Sequence, residues 1–202
     1  MLDDGEVLHT PGRDKLPARN SQSRKTGEKA KAPVLWNSHR VVDCGSARTE
    51  IYGQFPKGFL AFAYRILGLK SDLVLHVCSG GLDTSTRGIR VDLRREVLPD
   101  VVADGCALPF ADASFDAVLI DPPYSVEYAK NLYNTDYPRP SALLREAARV
   151  VRPSRRIGFV HFLVPHPESG LRFVEVHGIT TGCGYRIRAL TVFQKEQRGL
   201  FE

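Results

Sequence analysis

The residues with the clearest chemical potential are an acid, two prolines and a tyrosine that follow an apolar stretch. Residues 117–120 read Ala-Val-Leu-Ile, and Asp121-Pro122-Pro123-Tyr124 follow directly. The apolar run is typical of a buried strand, and two consecutive prolines end a strand. This order predicts a carboxylate, a rigid turn and an aromatic ring at the carboxyl end of a parallel strand, where open α/β sheets bind ligands. A strand followed by an ordinary proline turn is the alternative interpretation.

Two further acids follow short apolar runs of the same design. Asp92 ends the run 88–92, and Asp104 ends the run 101–104. A carboxylate at such a strand end can accept both hydroxyls of a ribose, which is the interaction we expect of Asp92. Asp104 is placed to accept from an adenine amino group, with the Gly105 and Cys106 backbone beside the ring. Asp is common in turns after strands, so each acid alone also has a structural interpretation.

A glycine turn follows the first of these strands. The run Leu73–Cys78 is apolar and leads into Ser79-Gly80-Gly81. Glycines in this position let the backbone approach a ligand closely. Together with the three acids, this turn predicts one binding edge for a nucleotide-like molecule.

The remaining pattern predicts an α/β fold. We expect a mostly parallel, Rossmann-like sheet with a carboxyl-terminal antiparallel hairpin. Only six residues separate Gly81 from Gly88, whereas a parallel crossover usually needs a dozen or more, so the crossover helices should be short or missing. Residues 33–55, or a second copy of the chain in a homodimer, are expected to cover the exposed sheet face. The other predicted elements are a helix over Phe59–Leu67 ended by Gly68, a helix over Ser141–Val151 ended by Pro153, and strands over 40–43, 157–164, 173–180 and 186–194.

Length and charge divide the chain of 202 residues into a tail and a domain. Residues 1–32 are basic and poor in large apolar side chains, which predicts a disordered tail, and residues 33–198 form the domain. The net charge of +5 favours a polyanionic partner, and the tail is interpreted either as a nucleic-acid arm or as a solubilising segment. No run of about 20 apolar residues or signal peptide is present, so no membrane association and a cytoplasmic location are expected. The four cysteines form no C-x-x-C pair, so no metal is expected.

The tetrapeptide at 121–124 resembles motif IV of the class I S-adenosylmethionine-dependent methyltransferases that modify exocyclic amino groups of bases. Residues 56–195 look like the small DNA-adenine-type enzymes of bacteria and their phages. Motif I of that family usually reads D/E-x-F-x-G-x-G, whereas here His76, Cys78 and Leu82 replace the acid, the aromatic and the last glycine. The resemblance implies S-adenosylmethionine as the cofactor, bound by motif X (Phe55 and Pro56), by motif I (His76, Cys78, Ser79, Gly80 and Gly81) and by Asp92, Asp104, Gly105 and Cys106.

The same resemblance implies the reaction. Asp121 and the Pro122 carbonyl would accept the two hydrogens of a base amine, Pro123 would make the turn rigid, and Tyr124 would stack on the base. The expected activity is N-methylation of a nucleobase amino group, foremost N6 of adenine in DNA. An RNA base methyltransferase and a catalytically inert nucleic-acid-binding module of the same fold are the alternatives. The aromatic and basic segment Ser125–Pro140 is interpreted either as a contact for a base or a phosphate or as an ordinary packed loop.

Overall fold

The computed structural model describes residues 55–180 and 186–197 and the backbone of residues 42–43. The predicted tail over residues 1–32 lies outside the described residues, and its division from a domain over 33–198 stays a prediction. The described chain forms three α-helices, one short 3₁₀ helix (Arg95–Val97) and eight strands. The helices are α1 (Phe59–Leu67), α2 (Val126–Tyr133) and α3 (Pro140–Val150); the strands are β1 (Val42–Asp43), β2 (Val74–Val77), β3 (Ile89–Asp92), β4 (Val101–Val102), β5 (Phe115–Ile120), β6 (Val151–His161), β7 (Leu171–Thr180) and β8 (Arg188–Lys195).

All eight strands form one sheet in the order β1-β7-β8-β6-β5-β2-β3-β4. Strands β4, β3, β2, β5 and β6 are parallel, while β8 runs antiparallel between β6 and β7. This is the Rossmann-like sheet of class I methyltransferases, with β1 added at the edge beside β7. The prediction of a mostly parallel sheet with an antiparallel carboxyl-terminal end is confirmed.

Helices α1 and α3 cover opposite faces of the sheet. On α3, Leu143, Leu144 and Ala147 recur at helical spacing, and they pack on the face that includes Val118 and Ile120. On α1, Phe59, Phe62 and Ala63 pack on the opposite face, with Leu119 and Val160. Since β2 lies between these two layers, all four of its residues are buried, as expected for a central parallel strand.

The crossovers are as short as the spacing predicts. No helix joins β2 to β3 within the described residues, and only the 3₁₀ helix Arg95–Val97 joins β3 to β4. Large apolar side chains are exposed near these connections, among them Leu93, Leu98 and Val102. Residues 33–41 and 44–54 lie outside the described part, so the proposed cover of a sheet face and the homodimer remain predictions; the short strand predicted over 40–43 is found as β1.

The junction of α3 and β6 differs from expectation. The helix ends at Val150, and Val151 already pairs with Phe115 in the sheet. Pro153 therefore lies inside β6 rather than at a helix end. It is tolerated because the β5–β6 register shifts here and Ser154 adopts φ +63°, so no ladder hydrogen bond depends on the missing proline N–H.

Two other boundaries also need correction. Strand β6 ends at His161, so the predicted strand residues 162–164 leave the sheet. Residues 181–185, expected to join the last two strands, lie outside the described residues. Helix α2 appears within the segment 125–140, where no helix was predicted; Ser125 caps it by accepting from the Tyr128 N–H at 3.2 Å.

We predict that Gly88→Ala destabilises the protein far more than Gly170→Ala. Both glycines have positive φ, at +94° and +78°, which costs a residue with a side chain about 1–2 kcal/mol. A Cβ at Gly88 would also lie 2.2 Å from the Val74 carbonyl oxygen, whereas a Cβ at Gly170 would meet nothing within 4 Å. Urea unfolding of the two variants should show the larger loss for Gly88→Ala. Equal losses would mean that the contact with β2 relaxes without cost.

Candidate functional site

A cleft of about 510 Å³ opens at the carboxyl ends of β2, β3, β4 and β5. This volume is in the range of small-molecule sites. The cleft brings together ten of the residues that the sequence singled out, from four separate strand ends and the turns that follow them. They are Cys78, Gly80, Asp92, Asp104, Gly105, Cys106, Asp121, Pro122, Pro123 and Tyr124.

Backbone hydrogen bonds align the strand ends that form this cleft. The Asp121 N–H donates to the Val77 carbonyl at 3.2 Å, and the Ser79 N–H donates to the Val91 carbonyl at 2.9 Å. These bonds continue the parallel ladders of β5 with β2 and of β2 with β3. The glycine turn, Asp92 and Asp121 are therefore held at one level of the sheet.

Asp92 is almost fully buried at the floor of the cleft, with an exposed fraction of 6%. Its Oδ2 accepts from the Gly80 N–H at 2.8 Å, and its Oδ1 accepts from the Arg94 N–H at 2.9 Å. The carboxylate thus fixes the glycine turn. Oδ1 also accepts from Arg94 Nε at 3.3 Å, whereas Oδ2 has a second lone pair with which Asp92 can accept from a hydroxyl in the cleft.

The loop after β4 forms a second wall. Asp104 is exposed, and its Oδ1 accepts from the Cys106 N–H at 2.8 Å, which closes a tight turn around Gly105. A Cβ at Gly105 would lie 2.6 Å from Val77 and 2.8 Å from Leu143. Glycine is therefore required where this wall lies against β2 and α3.

Arg149 holds the continuation of this loop against α3. Its Nη2 donates to the Leu108 carbonyl at 2.8 Å and its Nη1 to the Phe110 carbonyl at 2.7 Å. Glu146 pairs with Arg149 at 2.8 Å and accepts from the Leu108 N–H at 2.8 Å. These contacts fix the loop after β4 against α3.

Asp121, Tyr124 and Arg188 form a chain of hydrogen bonds inside the cleft. The Tyr124 hydroxyl donates to Asp121 Oδ1 at 2.7 Å, and Arg188 Nη1 donates to the Tyr124 oxygen at 3.3 Å. Burial raises the pKa of Asp121 to about 6, while the Arg188 charge and the Tyr124 hydrogen bond act in the opposite direction. Asp121 therefore changes its charge close to neutral pH.

The Tyr124 ring lies between the cleft and a cluster of aromatic side chains. Its centroid lies 4.5 Å from the Phe162 ring, 5.5 Å from His161 and 6.3 Å from Tyr128. Burial raises the pKa of Tyr124 well above its usual value, so the hydroxyl stays protonated and continues to donate to Asp121. The sequence predicted that the Tyr124 ring stacks on a base, and in the structure this ring already packs against other aromatic side chains.

The segment after Tyr124 forms the roof of the cleft. Helix α2 contributes Tyr133, and the following residues 135–139 line the same space. The Arg94 guanidinium lies 4.7 Å from the centre of the Tyr133 ring, which joins the roof to the wall after β3. The sequence left two interpretations of the segment 125–140, a contact for a base or a phosphate and an ordinary packed loop. Its position at the cleft is compatible with the contact.

Two cysteines line the cleft as neutral thiols. Burial raises the pKa of Cys78 well above its usual value and that of Cys106 to about 11, with neighbouring carboxylates adding to both shifts. A thiol with so high a pKa is a poor nucleophile near neutral pH. Cys78 and Cys106 therefore act as small apolar contacts rather than as reacting groups.

The structure separates five of the predicted residues from this cleft. His76 lies in the packed interior, where its Nε2 is 3.0 Å from the Tyr64 hydroxyl and 3.0 Å from the Arg87 carbonyl oxygen. Burial lowers the pKa of His76 to about 4, so it is neutral. This placement corrects its expected contact with a cofactor to one in the core. Ser79 is buried beneath the turn, and Phe55, Pro56 and Gly81 line a second cleft of about 540 Å³ on the other side of the glycine turn.

Two arginines at the cleft were missed by the sequence reasoning, Arg94 and Arg188. Arg139 and Tyr137 also line the cleft, and they belong to the segment 125–140 that was interpreted as a base or phosphate contact. Arg94 lies two residues after Asp92, so its closeness in sequence to a predicted site residue could have indicated it. Arg188 lies on β8, far along the chain, and no local pattern connects it to Asp121.

The donor set fits S-adenosylmethionine. The glycine turn gives close backbone approach, and the buried Asp92 carboxylate and the Asp104 turn offer acceptors at separate points of the floor. Among the described residues, no group of three His, Cys, Asp or Glu side chains is arranged to hold a metal ion. None of the described helices is long and apolar enough to cross a membrane.

We predict that Arg188→Gln raises the pKa of Asp121 above its value of about 6. Removal of a nearby positive charge disfavours the ionised carboxylate, so the shift is upward. Carbon-13 NMR of the Asp121 carboxyl group across a pH titration measures it directly. Arg139→Gln removes a cleft arginine that does not contribute to this pKa and is the matched control. An unchanged pKa in Arg188→Gln would contradict the electrostatic link.

Comparison with known proteins agrees with this architecture. Residues 78–158 match the family model described as a methyltransferase domain. A segment of 68 residues is 43% identical to the demethylmenaquinone methyltransferase of Corynebacterium efficiens, covering 34% of this chain and 25% of that protein. The chain therefore spans about a quarter of the length of this curated relative.

Solved structures are also similar to this chain. The methyltransferase in complex with the Haloferax volcanii Trm112 methyltransferase activator is 14% identical, with a TM-score of 0.50 over 68% of this chain and 89% of that chain. TrmN from Thermus thermophilus is 21% identical, with a TM-score of 0.49 over 67% of this chain and 48% of that chain. The sheet order and the first of these structures show the class I methyltransferase fold, and the domain match over residues 78–158 agrees with S-adenosylmethionine as the cofactor.

Proposed function

We propose that this protein transfers a methyl group from S-adenosylmethionine to the exocyclic amino group of a nucleobase, foremost N6 of adenine in DNA. The observation that carries the proposal is the Asp121 carboxylate in the cleft, directly before Pro122 and Pro123. An amine acceptor requires groups that bind two N–H donors at the methyl-transfer position, and a carboxylate followed by a fixed carbonyl provides them.

The residues at the end of β5 would orient the amine. When bound, S-adenosylmethionine supplies an electrophilic methyl group. Tyr124 engages Oδ1 of Asp121, so Oδ2 is the oxygen that accepts one amine hydrogen, and the Pro122 carbonyl accepts the other. Both bonds favour a pyramidal nitrogen with a localised lone pair, which then forms the new N–C bond as the S–C bond breaks. Asp121 accepts the surplus proton, because its raised pKa makes it a better base than an exposed aspartate.

Arginines in the cleft support an anionic substrate. Arg94, Arg139 and Arg188 line it beside four aspartates, and the chain carries a net charge of +5. Guanidinium groups are frequent partners of phosphate oxygens. These arginines are therefore the groups that would contact phosphates next to a target base.

The direct test measures binding and transfer separately. Calorimetry with S-adenosylmethionine distinguishes an enzyme from an inert module, which should show no heat. Transfer of a labelled methyl group to duplex DNA, single-stranded DNA and RNA then identifies the substrate. Preferential labelling of RNA would replace the DNA proposal by the RNA alternative, and cofactor binding without transfer to any nucleic acid would overturn the proposed substrate class.

We predict that Asp121→Ala lowers the rate of methyl transfer by about 100-fold or more, as expected for loss of a proton acceptor that also orients the amine. The dissociation constant of S-adenosylmethionine should change little, because the floor of the cleft at Asp92 is untouched. Asp92→Ala is the complementary variant and should mainly weaken cofactor binding, since the glycine turn loses its anchor. Calorimetry and single-turnover assays separate the two effects. Wild-type turnover in Asp121→Ala would refute the assigned role.

We predict that the rate of methyl transfer falls as the pH drops through about 6. The sign follows from the carboxylate: above a pKa of about 6 Asp121 is ionised and accepts a proton, and below it the group is neutral. A pH–rate profile in saturating cofactor should show this acid limb. Asp121→Asn retains an acceptor oxygen but cannot titrate, so the limb should disappear in that variant; a persistent limb would assign it to another group.

A further inference from the structure

An exposed surface of aromatic, apolar and arginine side chains adjoins the cleft. It is formed by the residues just past β6, by those just before β8 and by α2, and we name it the aromatic–arginine rim: Tyr128, Phe162, Leu163, Val164, Arg186 and Ile187. Leu163, Val164 and Ile187 are 69%, 51% and 62% exposed. Contiguous large apolar side chains beside a binding cleft indicate a contact surface rather than chance exposure.

Phe162 and Arg186 are arranged as a stacking surface. The Arg186 guanidinium carbon lies 5.6 Å from the centre of the Phe162 ring, and Arg186 Nη1 donates to the Tyr128 hydroxyl at 3.2 Å. The hydrogen bond holds an exposed, charged side chain beside an aromatic ring. The exposed guanidinium plane above the ring offers a flat face to a base and a positive charge to the attached phosphate.

The rim is continuous with the reacting end of the cleft. Phe162 packs against the Tyr124 ring at 4.5 Å, and the Tyr124 hydroxyl bonds to Asp121. One aromatic ring therefore separates the Asp121 carboxylate from the rim. A group bound on Phe162 would lie next to the group held at Asp121.

We propose that the aromatic–arginine rim binds the unpaired DNA nucleotide adjacent to the target base, with its base stacked on the Arg186–Phe162 pair and its phosphate beside the Arg186 charge. This inference rests on the proposed function and adds the contact that selects single-stranded or locally opened DNA. Stacking on a protein side chain requires a base that is not inside a duplex, because there both faces of each base are covered by neighbouring bases. The charge at the rim matches a phosphate group.

Fluorescence anisotropy with a labelled single-stranded DNA of about 12 nucleotides, within the range of single-strand site sizes, tests the proposal. It is measured with saturating S-adenosylhomocysteine. Arg186→Gln should weaken binding about fivefold or more and reduce the slope of log K against log salt by about 0.7, the value for one phosphate on a single strand. Arg186→Lys should keep the slope and lose part of the affinity. Arg172→Gln is the control, because Arg172 lies at the opposite end of the sheet, where its side chain pairs with Gln194. This variant should leave both the affinity and the salt slope unchanged.

Phe162→Leu tests the stacking contact. This variant also touches Tyr124, so its effect is compared between a normal oligonucleotide and one with an abasic nucleotide beside the target adenine. The abasic change should weaken binding to the wild-type protein about fivefold or more and have little further effect in Phe162→Leu. Thermal unfolding verifies that each variant is folded.

The outcomes separate this inference from the proposed function. Two results together would overturn nucleotide binding at the rim while leaving the proposed methyl transfer intact. The Arg186 variants would keep the wild-type affinity and salt slope, and the effects of Phe162→Leu and of the abasic change would be independent of each other. Equal or tighter binding of the matching RNA would overturn the assignment to DNA. A wild-type protein that binds no oligonucleotide would overturn the proposed function and the rim together.

Discussion

The parallel pairing of β5, β2 and β3 is the constraint on which the site depends. Within it, Val77 is the partner of both Ile120 and Val91, so the residues that follow each strand emerge at the same level. Each ladder is extended by one bond beyond the strands, from Asp121 to Val77 and from Ser79 to Val91. A register slip of one residue would turn every side chain of a strand to the other face and would remove an acid from the cleft.

Opposing electrostatic effects tune the reacting end. Burial disfavours the charge on Asp121, whereas Arg188 and the Tyr124 hydroxyl stabilise it. The result is a carboxylate with a pKa of about 6, which suits the proton acceptance that we propose for it. The arginine comes from the antiparallel strand β8, so the carboxyl-terminal hairpin contributes to the site as well as to the sheet.

The short crossovers shape what surrounds the cleft. With no helix between β2 and β3 in the described chain and one 3₁₀ turn between β3 and β4, α1 and α3 are the main covers of the two faces. The segment after Tyr124 supplies the roof, and the contact between Arg94 and Tyr133 joins roof and wall. Aromatic side chains of this segment therefore lie in the same cleft as Asp121.

Sequence by itself determined the strand ends and the chemistry they carry, because apolar runs, glycines and prolines act locally on the backbone. Asp92, Asp104 and the Asp121–Tyr124 turn could be predicted for that reason, and so could the brevity of the crossovers. Tertiary structure alone decided which side chains meet: it placed His76 in the core against Tyr64, brought Arg188 to Tyr124, and turned Phe162 out of the strand beside Arg186. These contacts join residues far apart in the chain, and their formation depends on sheet order and register, which no short sequence pattern encodes.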